Sequence, residues 1–265
     1  MLRPLLYHHN CDVSRLGISL FLDRHERDRQ ASEAAEAFRP GCGSGVNLGI
    51  QGGGLGSISA RNTEGRAVKV SVLCAVRDEA HYIAEMMDSL LRQTLNAWEL
   101  LVVDDGSSDG TAEIVRAYGS EDRRIQLISS GHVIGKVAAY NLAFERSVGE
   151  VVTLLAGDDI LPPESLQVRY AGVSSIGTDK RVLATYKLRT FSADRRFDGM
   201  LLPRGQGTSL SGGVVGLSRA LARLVFPIPS QLPSEDTWLS EVALGLADAR
   251  AEGQDTVLRY RIHEG

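Results

Sequence analysis

The sequence predicts an α/β fold: a mostly parallel sheet flanked by helices, with a flexible N-terminal extension ahead of it. Three observations lead there. From Val68 onward, β-branched apolar runs alternate with amphipathic stretches of about 10–15 residues, the pattern of right-handed strand–helix–strand crossovers. Acidic residues recur just beyond three of those apolar runs: Glu79 after the first, Asp104 and Asp105 after the second, Asp158 and Asp159 after the fourth. Residues 1–66 carry no such alternation, and Pro40–Gly65 is dominated by Gly, Ser and Asn, a composition that orders at high entropic cost.

The elements follow in order. VKVSVLCAV (Val68–Val76) reads as the first strand, with Cys74 a small core residue. A helical pattern follows through Ile83, Met86, Met87, Leu90 and Leu91. WELLVVDD (Trp98–Asp105) is a second strand in which Trp98 packs, and TAEIVRAYG (Thr111–Gly119) a helix with a glycine stop. RIQLISS (Arg124–Ser130) is a third strand, and KVAAYNLAFERSVG (Lys136–Gly149) a helix again ended by glycine. EVVTLLAGDD (Glu150–Asp159) is the fourth strand. His81 and His132 read as surface or loop residues.

At 265 residues the chain has the length for one large α/β domain plus an appendage. The division predicted is an extension over 1–66 and a domain over 67–265, its first half about 67–160 and its second about 161–265. A formal net charge of −4 argues against sequence-independent nucleic-acid binding, which wants a basic face. The three cysteines (Cys11, Cys42, Cys74) share no metal-ligand spacing, so free thiols in a reducing compartment are the simplest reading. His8, His9 and Cys11 read as part of a mobile tail. No apolar run reaches the ~18 residues of a membrane-spanning helix, and Leu16–Leu22 is too short and flanked by charge. The N-terminus lacks the order of a secretory signal. The expectation is a cytoplasmic protein without a nucleic-acid partner or a transmembrane segment, with peripheral association at the inner face of a membrane left open.

Ligands of open α/β sheets bind beyond the carboxyl ends of the strands, so the acidic residues converge on one rim. Carboxylates gathered in one cleft need a cation, or they raise each other's pKa values. Mg²⁺ or Mn²⁺ is the natural partner, held by one or two carboxylates and substrate phosphates. Gly157-Asp158-Asp159 fits that use, and fits equally a plain turn before Pro162 and Pro163. Asp104 reads as a structural acceptor for the Gly-Ser-Ser turn that follows it.

Four stretches carry a family resemblance: VSVLCAVRDEAHYI, SLLRQTLNAWELLVVDDGSSDGT, IGKVAAYNLAFERSVGEVV and GDDILPPESL. In this order they resemble a family 2 glycosyltransferase of the GT-A fold. PSEDTWL (Pro233–Leu239) and the terminal YRIHEG resemble that family's acidic acceptor-side motif and its Tyr-Arg-x-His element. The resemblance implies an inverting, metal-dependent transferase. Its donor would be a nucleotide-diphosphate sugar, UDP-sugar favoured, and its acceptor a saccharide or lipid-linked sugar, as in cell-envelope polysaccharide synthesis. It implies nucleotide contacts at Ala75, Arg77, Glu79, Asp105, Lys136 and Asp158, with Asp105 reading the base and Lys136 near ribose or diphosphate. It implies metal contacts at Asp159 and His263, a catalytic base at Asp236, and donor- or acceptor-sugar contacts at Glu235 and Trp238. The residues alone allow a plainer reading of Pro233–Leu239: Ser234 caps a helix and the two carboxylates favour its dipole.

Three positions depart from the family's frequent pattern. Ala156 stands where an Asp often begins Asp-x-Asp, Asp78 replaces a common Asn, and Ala75 replaces a small polar residue or proline. Relatives often continue beyond the position of Gly265, so the resemblance implies a lid or acceptor module outside this sequence. The alternative in the same fold is a nucleotide-sugar binding module without turnover. A phosphorylated receiver would need its acidic pair after the first strand. A nucleotidylyltransferase would need glycines in the first loop, and CAVRDEAHY has none.

Overall fold

The computed structural model describes residues 67–232 and 235–263. The extension over 1–66, with His8, His9, Cys11 and Cys42, and the expected cap Ser234 lie outside the described residues.

The strands are β1 (Val70–Val76), β2 (Trp98–Asp104), β3 (Ile125–Ser129), β4 (Val151–Leu154), β5 (Val182–Phe191), β6 (Leu201–Leu202), β7 (Gly216–Ser218) and β8 (Ala249–Arg261). The helices are α1 (Ile83–Leu91), α2 (Thr111–Glu121), α3 (Lys136–Arg146), α4 (Ser165–Ser174), α5 (Arg219–Val225) and α6 (Glu235–Leu246). One eight-stranded sheet runs β3-β2-β1-β4-β7-β5-β6, with β8 paired to β5. The β1–β2, β1–β4, β2–β3 and β5–β8 pairs are parallel; β7 pairs antiparallel with β4 and β5, and β6 with β5.

The parallel half is buried on both faces, which is why its strands are continuously apolar in sequence. Successive side chains point to opposite faces. Val70, Val72 and Cys74 of β1, with Trp98, Leu100 and Val102 of β2, pack on one face against Ile83, Met86, Met87 and Leu90 of α1. Leu73, Leu101 and Val103 pack on the other against Val137, Ala139 and Tyr140 of α3, Leu221 of α5 and Leu239 of α6. Cys74 is fully buried, as expected, and burial pushes its thiol far above the ordinary range.

Two helix ends differ from the glycine stops expected. Gly119 lies inside α2, which runs to Glu121. A Cβ on Gly119 would stand 3.0 Å from the Ile125 carbonyl oxygen, so the glycine serves the close approach of β3 and not termination. The third helix ends at Arg146, with Ser147 extended. Gly149 is needed further on, where a Cβ would meet the Ser71 backbone nitrogen at 2.6 Å and the Val70 carbonyl carbon at 2.9 Å. Backbone cannot swing aside as a side-chain tip can. Gly149→Ala is therefore expected to cost about 1–3 kcal/mol of overpacking, read as a lowered midpoint in chemical denaturation. An unchanged midpoint would show that β1 and the α3–β4 connection separate freely.

Candidate functional site

The site lies at the carboxyl edge of β1, β2 and β4, and its first component is a pair of interlocked loops. After β1, Asp78 adopts a left-handed backbone with φ of 54°, which an Asx residue tolerates best among non-glycines. Its carboxylate accepts from the Ser108 amide (2.8 Å) and hydroxyl (3.2 Å), while its own amide donates to the Ser107 hydroxyl (3.0 Å). The Glu79 amide donates to the Thr111 hydroxyl (2.8 Å) and the Ala80 amide to Asp109 (2.9 Å). Hydrogen bonds from Thr111 and from the Ala80 amide hold the Asp109 carboxyl below its ordinary range. The polar half of DDGSSDGT is thus the surface on which the β1–α1 loop is moulded, and it calls for an Asx side chain at position 78, a need that Asp and Asn meet alike.

The two aspartates ending β2 have separate duties. Asp104 accepts from the Ser107 amide at 3.2 Å, the structural role expected of it. Asp105 is buried and turned toward the loop ahead of α3: the Ile134 amide donates to it at 2.5 Å, and the Gly135 amide reaches both its oxygens at 3.1 Å. A carboxylate has about four lone-pair sites, so one more donor can still be taken. Ala75 is half-buried near the end of β1, and Arg77 is exposed beside Asp78 at 3.9 Å.

The second component is the Gly157-Asp158-Asp159 turn. A Cβ on Gly157 would stand 2.9 Å from a Val76 methyl and 3.1 Å from Glu79 Cγ, so this glycine is required by packing. Asp159 is almost fully buried; Asp158 Oδ2 lies 2.8 Å from His263 Nε2. The Arg261 amide donates to Asp159 (2.9 Å), its Nε to the Asp158 carbonyl (2.8 Å), and its guanidinium to Glu85 (2.5 Å). The same guanidinium lies over the Tyr82 and Phe191 rings at 4.5 and 4.4 Å. Arg261 therefore clamps the end of β8 onto the acidic rim. No role was assigned to it from sequence, although the Tyr-Arg-x-His element contained the signal.

Burial and then the Asp158 charge push Glu79 up to about 7, and the same two causes raise Asp159 well above the carboxylate range. This is the behaviour of carboxylates crowded without a cation. Among the described residues no three His, Cys, Asp or Glu side chains are grouped as a metal cage. Asp158 and Asp159 bring two carboxylates to this rim, the number that Mg²⁺ commonly takes from protein beside substrate phosphates.

The third component is the start of α6. Asp236 Oδ1 accepts from the Gly212 amide at 2.8 Å, which leaves Oδ2 without a hydrogen bond among the described residues. Burial by surrounding atoms raises the Asp236 carboxyl, the Gly212 hydrogen bond opposes that rise, and Glu235 adds to it. Lys136, at the first position of α3, pairs with Glu235 at 2.5 Å. Burial would lower the Lys136 pKa, yet the Glu235 charge and hydrogen bond leave it raised. Lys136 and Glu235, both expected to face ligand, are thus bonded to each other, one from α3 and the other from α6. The Lys136 charge also lowers the pKa of both Asp159 and Asp236, so it acts on both sides of the cleft.

Trp238 differs from its expected contact with sugar. Its indole N–H donates to the Val225 carbonyl at 2.9 Å and its ring packs on the core beside α5. The helix period puts it on the packing side of α6, and the indole proton needs that buried carbonyl.

A mixed, mostly parallel sheet flanked by helices, with an acidic rim at its carboxyl edge, defines the class: this is the GT-A fold. Residues 71–198 match the family model described as glycosyl transferase family 2. That stretch of the chain belongs to glycosyl transferase family 2. One relative is the Escherichia coli UDP-Glc:alpha-D-GlcNAc-diphosphoundecaprenol beta-1,3-glucosyltransferase WfgD, 34% identical over 100 residues, 38% of this chain and 39% of that protein. The matched segments span 36% to 39% of the length of such curated relatives. Among solved structures, S. aureus TarS 1-349 in complex with UDP-GlcNAc superposes with a TM-score of 0.62 at 22% identity, covering 74% of this chain and 59% of that one. The Pyrobaculum calidifontis mannosyltransferase PcManGT, in complex with GDP-Man and Mn²⁺, gives 0.55 at 17% identity, covering 91% and 65%. These two likenesses concern the fold.

Proposed function

We propose that the chain is an inverting, metal-dependent glycosyltransferase that moves a sugar from a nucleotide-diphosphate donor, UDP-sugar in the first instance, to a saccharide or lipid-linked acceptor. The observation that carries this reading is two separate carboxylate sets that both feel the Lys136 charge. The Asp158–Asp159 rim lies in the turn after β4, while Asp236 stands on α6 with one oxygen tied to Gly212 and the other available. The names of WfgD and of the TarS complex support a UDP-sugar donor, and that of WfgD a diphosphoundecaprenol-linked sugar acceptor.

In this reading the base sits against Asp105, whose remaining lone pair accepts a base N–H. Arg77, Glu79 and the backbone at Ala75 border the nucleoside. Asp158, Asp159 and His263 hold the divalent ion, a use that the Mn²⁺ in the PcManGT complex supports. When bound, that ion supplies a Lewis acid that offsets negative charge on the departing diphosphate. Lys136 adds a positive charge beside the leaving group and trades part of its pairing with Glu235 for phosphate oxygens. Asp236 Oδ2 removes the proton from the acceptor hydroxyl as its oxygen attacks the anomeric carbon on the face opposite the diphosphate. Direct displacement with one base inverts the configuration.

Calorimetric titration of UDP with and without Mn²⁺, on the parent and on Asp159→Ala, tests the donor site. Binding should strengthen markedly with Mn²⁺ in the parent and lose that gain in the variant. Absence of binding by UDP, GDP and dTDP under every metal condition would overturn the enzyme reading and favour a GT-A module without turnover.

A further inference from the structure

Arg169, in the middle of α4, is fully buried, an unusual site for a guanidinium. No carboxylate accompanies it among the described residues. Its donors go to oxygens of three separate segments: the carbonyl and hydroxyl of Ser165 in its own helix, the Val257 carbonyl in β8, and the Gly213 carbonyl ahead of β7. Nε has no partner among the described residues. Burial lowers the guanidinium pKa to about 9, so it remains charged at neutral pH. A buried, solitary charge is a costly way to join three backbone segments, and apolar packing commonly serves stability at least as well. What an apolar side chain cannot do is hold a carbonyl oxygen at a fixed point.

The Gly213 carbonyl belongs to a turn with a second attachment. The turn is closed by the Val214 amide donating to the Ser211 carbonyl at 2.9 Å, and the Gly212 amide donates to Asp236 Oδ1 at 2.8 Å. A Cβ on Gly212 would stand 2.8 Å from that same oxygen and 3.2 Å from Leu154 Cδ2. One face of the turn therefore touches the proposed base, and its next carbonyl is gripped from within by Arg169. Neither Gly212 nor Arg169 lies in any motif noted in the sequence.

We propose that Arg169 is a positioning residue for the transfer reaction: through the Gly212–Gly213 turn it holds the Asp236 carboxylate in the orientation that directs Oδ2 at the acceptor hydroxyl. The inference rests on the reading of Asp236 as the base. Arg169 touches no substrate. A rigid fork with several donors suits the task, since one side chain can satisfy carbonyls on different elements at once.

The test compares Arg169→Met, Arg169→Lys and Gly212→Ala in the full chain, each also made in an Asp236→Asn background. Melting temperature and UDP affinity with Mn²⁺ report folding and the donor site. Methionine nearly fills the space and removes the buried charge, so a folded protein is expected. The expected result is a fall in kcat of ten-fold or more for Arg169→Met, with donor KM little changed and partial recovery in Arg169→Lys. Gly212→Ala should reproduce the kcat loss and also raise the acid limb of the pH profile, because the amide that favours the ionised carboxylate is displaced. The groups facing Asp236 in that titration, Glu235 beside it and Lys136 from α3, are retained. In the Asp236→Asn background none of the three should lower the residual rate further. A folded Arg169→Met with unchanged kcat overturns the proposal, as does an equal loss in the Asp236→Asn background. Should Arg169→Met fail to fold, Arg169→Lys and Gly212→Ala decide, and unchanged kcat in both overturns it. Full activity of Asp236→Asn itself would defeat the functional reading, a result distinct from failure of the Arg169 link.

Discussion

Asp236→Asn is expected to lower kcat by about 10²–10⁴-fold, the usual share of general-base help, while UDP affinity stays close to that of the parent. The separation follows from geometry: Asp236 stands on α6 and is held by Gly212, whereas the nucleotide contacts proposed lie at the end of β1, on the loops after β1, β2 and β4, and at the start of α3. Asparagine keeps the size and can still accept from the Gly212 amide, so the lost property is basicity. The parent's pH dependence provides a second reading. The Asp236 pKa is raised by burial, despite the Gly212 hydrogen bond, and the base must be ionised to act. Activity should therefore be full above that raised value and fall as pH drops through it, with a midpoint above the ordinary Asp value of about 3.9. Steady-state kinetics across pH measures both. A loss below ten-fold, or an acid limb unchanged in the variant, would remove Asp236 from the role of base.

Trp98→Ala should produce the largest loss of stability from any single truncation, about 3–5 kcal/mol. Trp98 opens β2, has no exposed surface, and packs in the cluster formed by β1, β2 and α1. The Arg124 guanidinium covers its ring at 3.9 Å and is itself paired with Asp122 at 2.6 Å. That cation–π contact is worth about 0.5–2 kcal/mol, so cavity formation is the larger part of the cost. The indole N–H has no hydrogen-bond partner among the described residues. Phenylalanine would leave a smaller cavity and remove a buried donor that costs about 1–3 kcal/mol unpaired. Trp98→Phe should thus be far milder than Trp98→Ala in guanidinium denaturation. Equal losses would show that cavity size does not set the cost at this position.

Much of the first half of the fold was legible because β1 to β4 obey simple rules: buried parallel strands are continuously apolar, and crossover helices show their period. The fourth strand ends at Leu154 and not at Asp159, its last acidic residues lying in a turn; the other boundaries missed were those where glycine was read as a helix stop. Gly119 and Gly149 are there for close backbone contacts with residues distant in sequence, which no local pattern contains. The second half was opaque for a related reason. β6 and β7 are two and three residues long, and β5 pairs with three strands that all come later in the sequence, the last of them starting at Ala249.

The site divides along the same line. The sequence by itself determined the α/β class, the acidic rim at the strand ends and the structural duty of Asp104, because each depends on residues adjacent in the chain or on one strand's end. Only the tertiary structure decided that Lys136 bonds Glu235, that Trp238 is a packing residue, that Arg261 clamps Asp158 and Asp159, and that Gly212 holds Asp236. Those relations join residues 13 to 103 positions apart. Such pairs are selected by the packing of whole elements, and sequence periodicity reports only which face an element buries, not which partner meets it there.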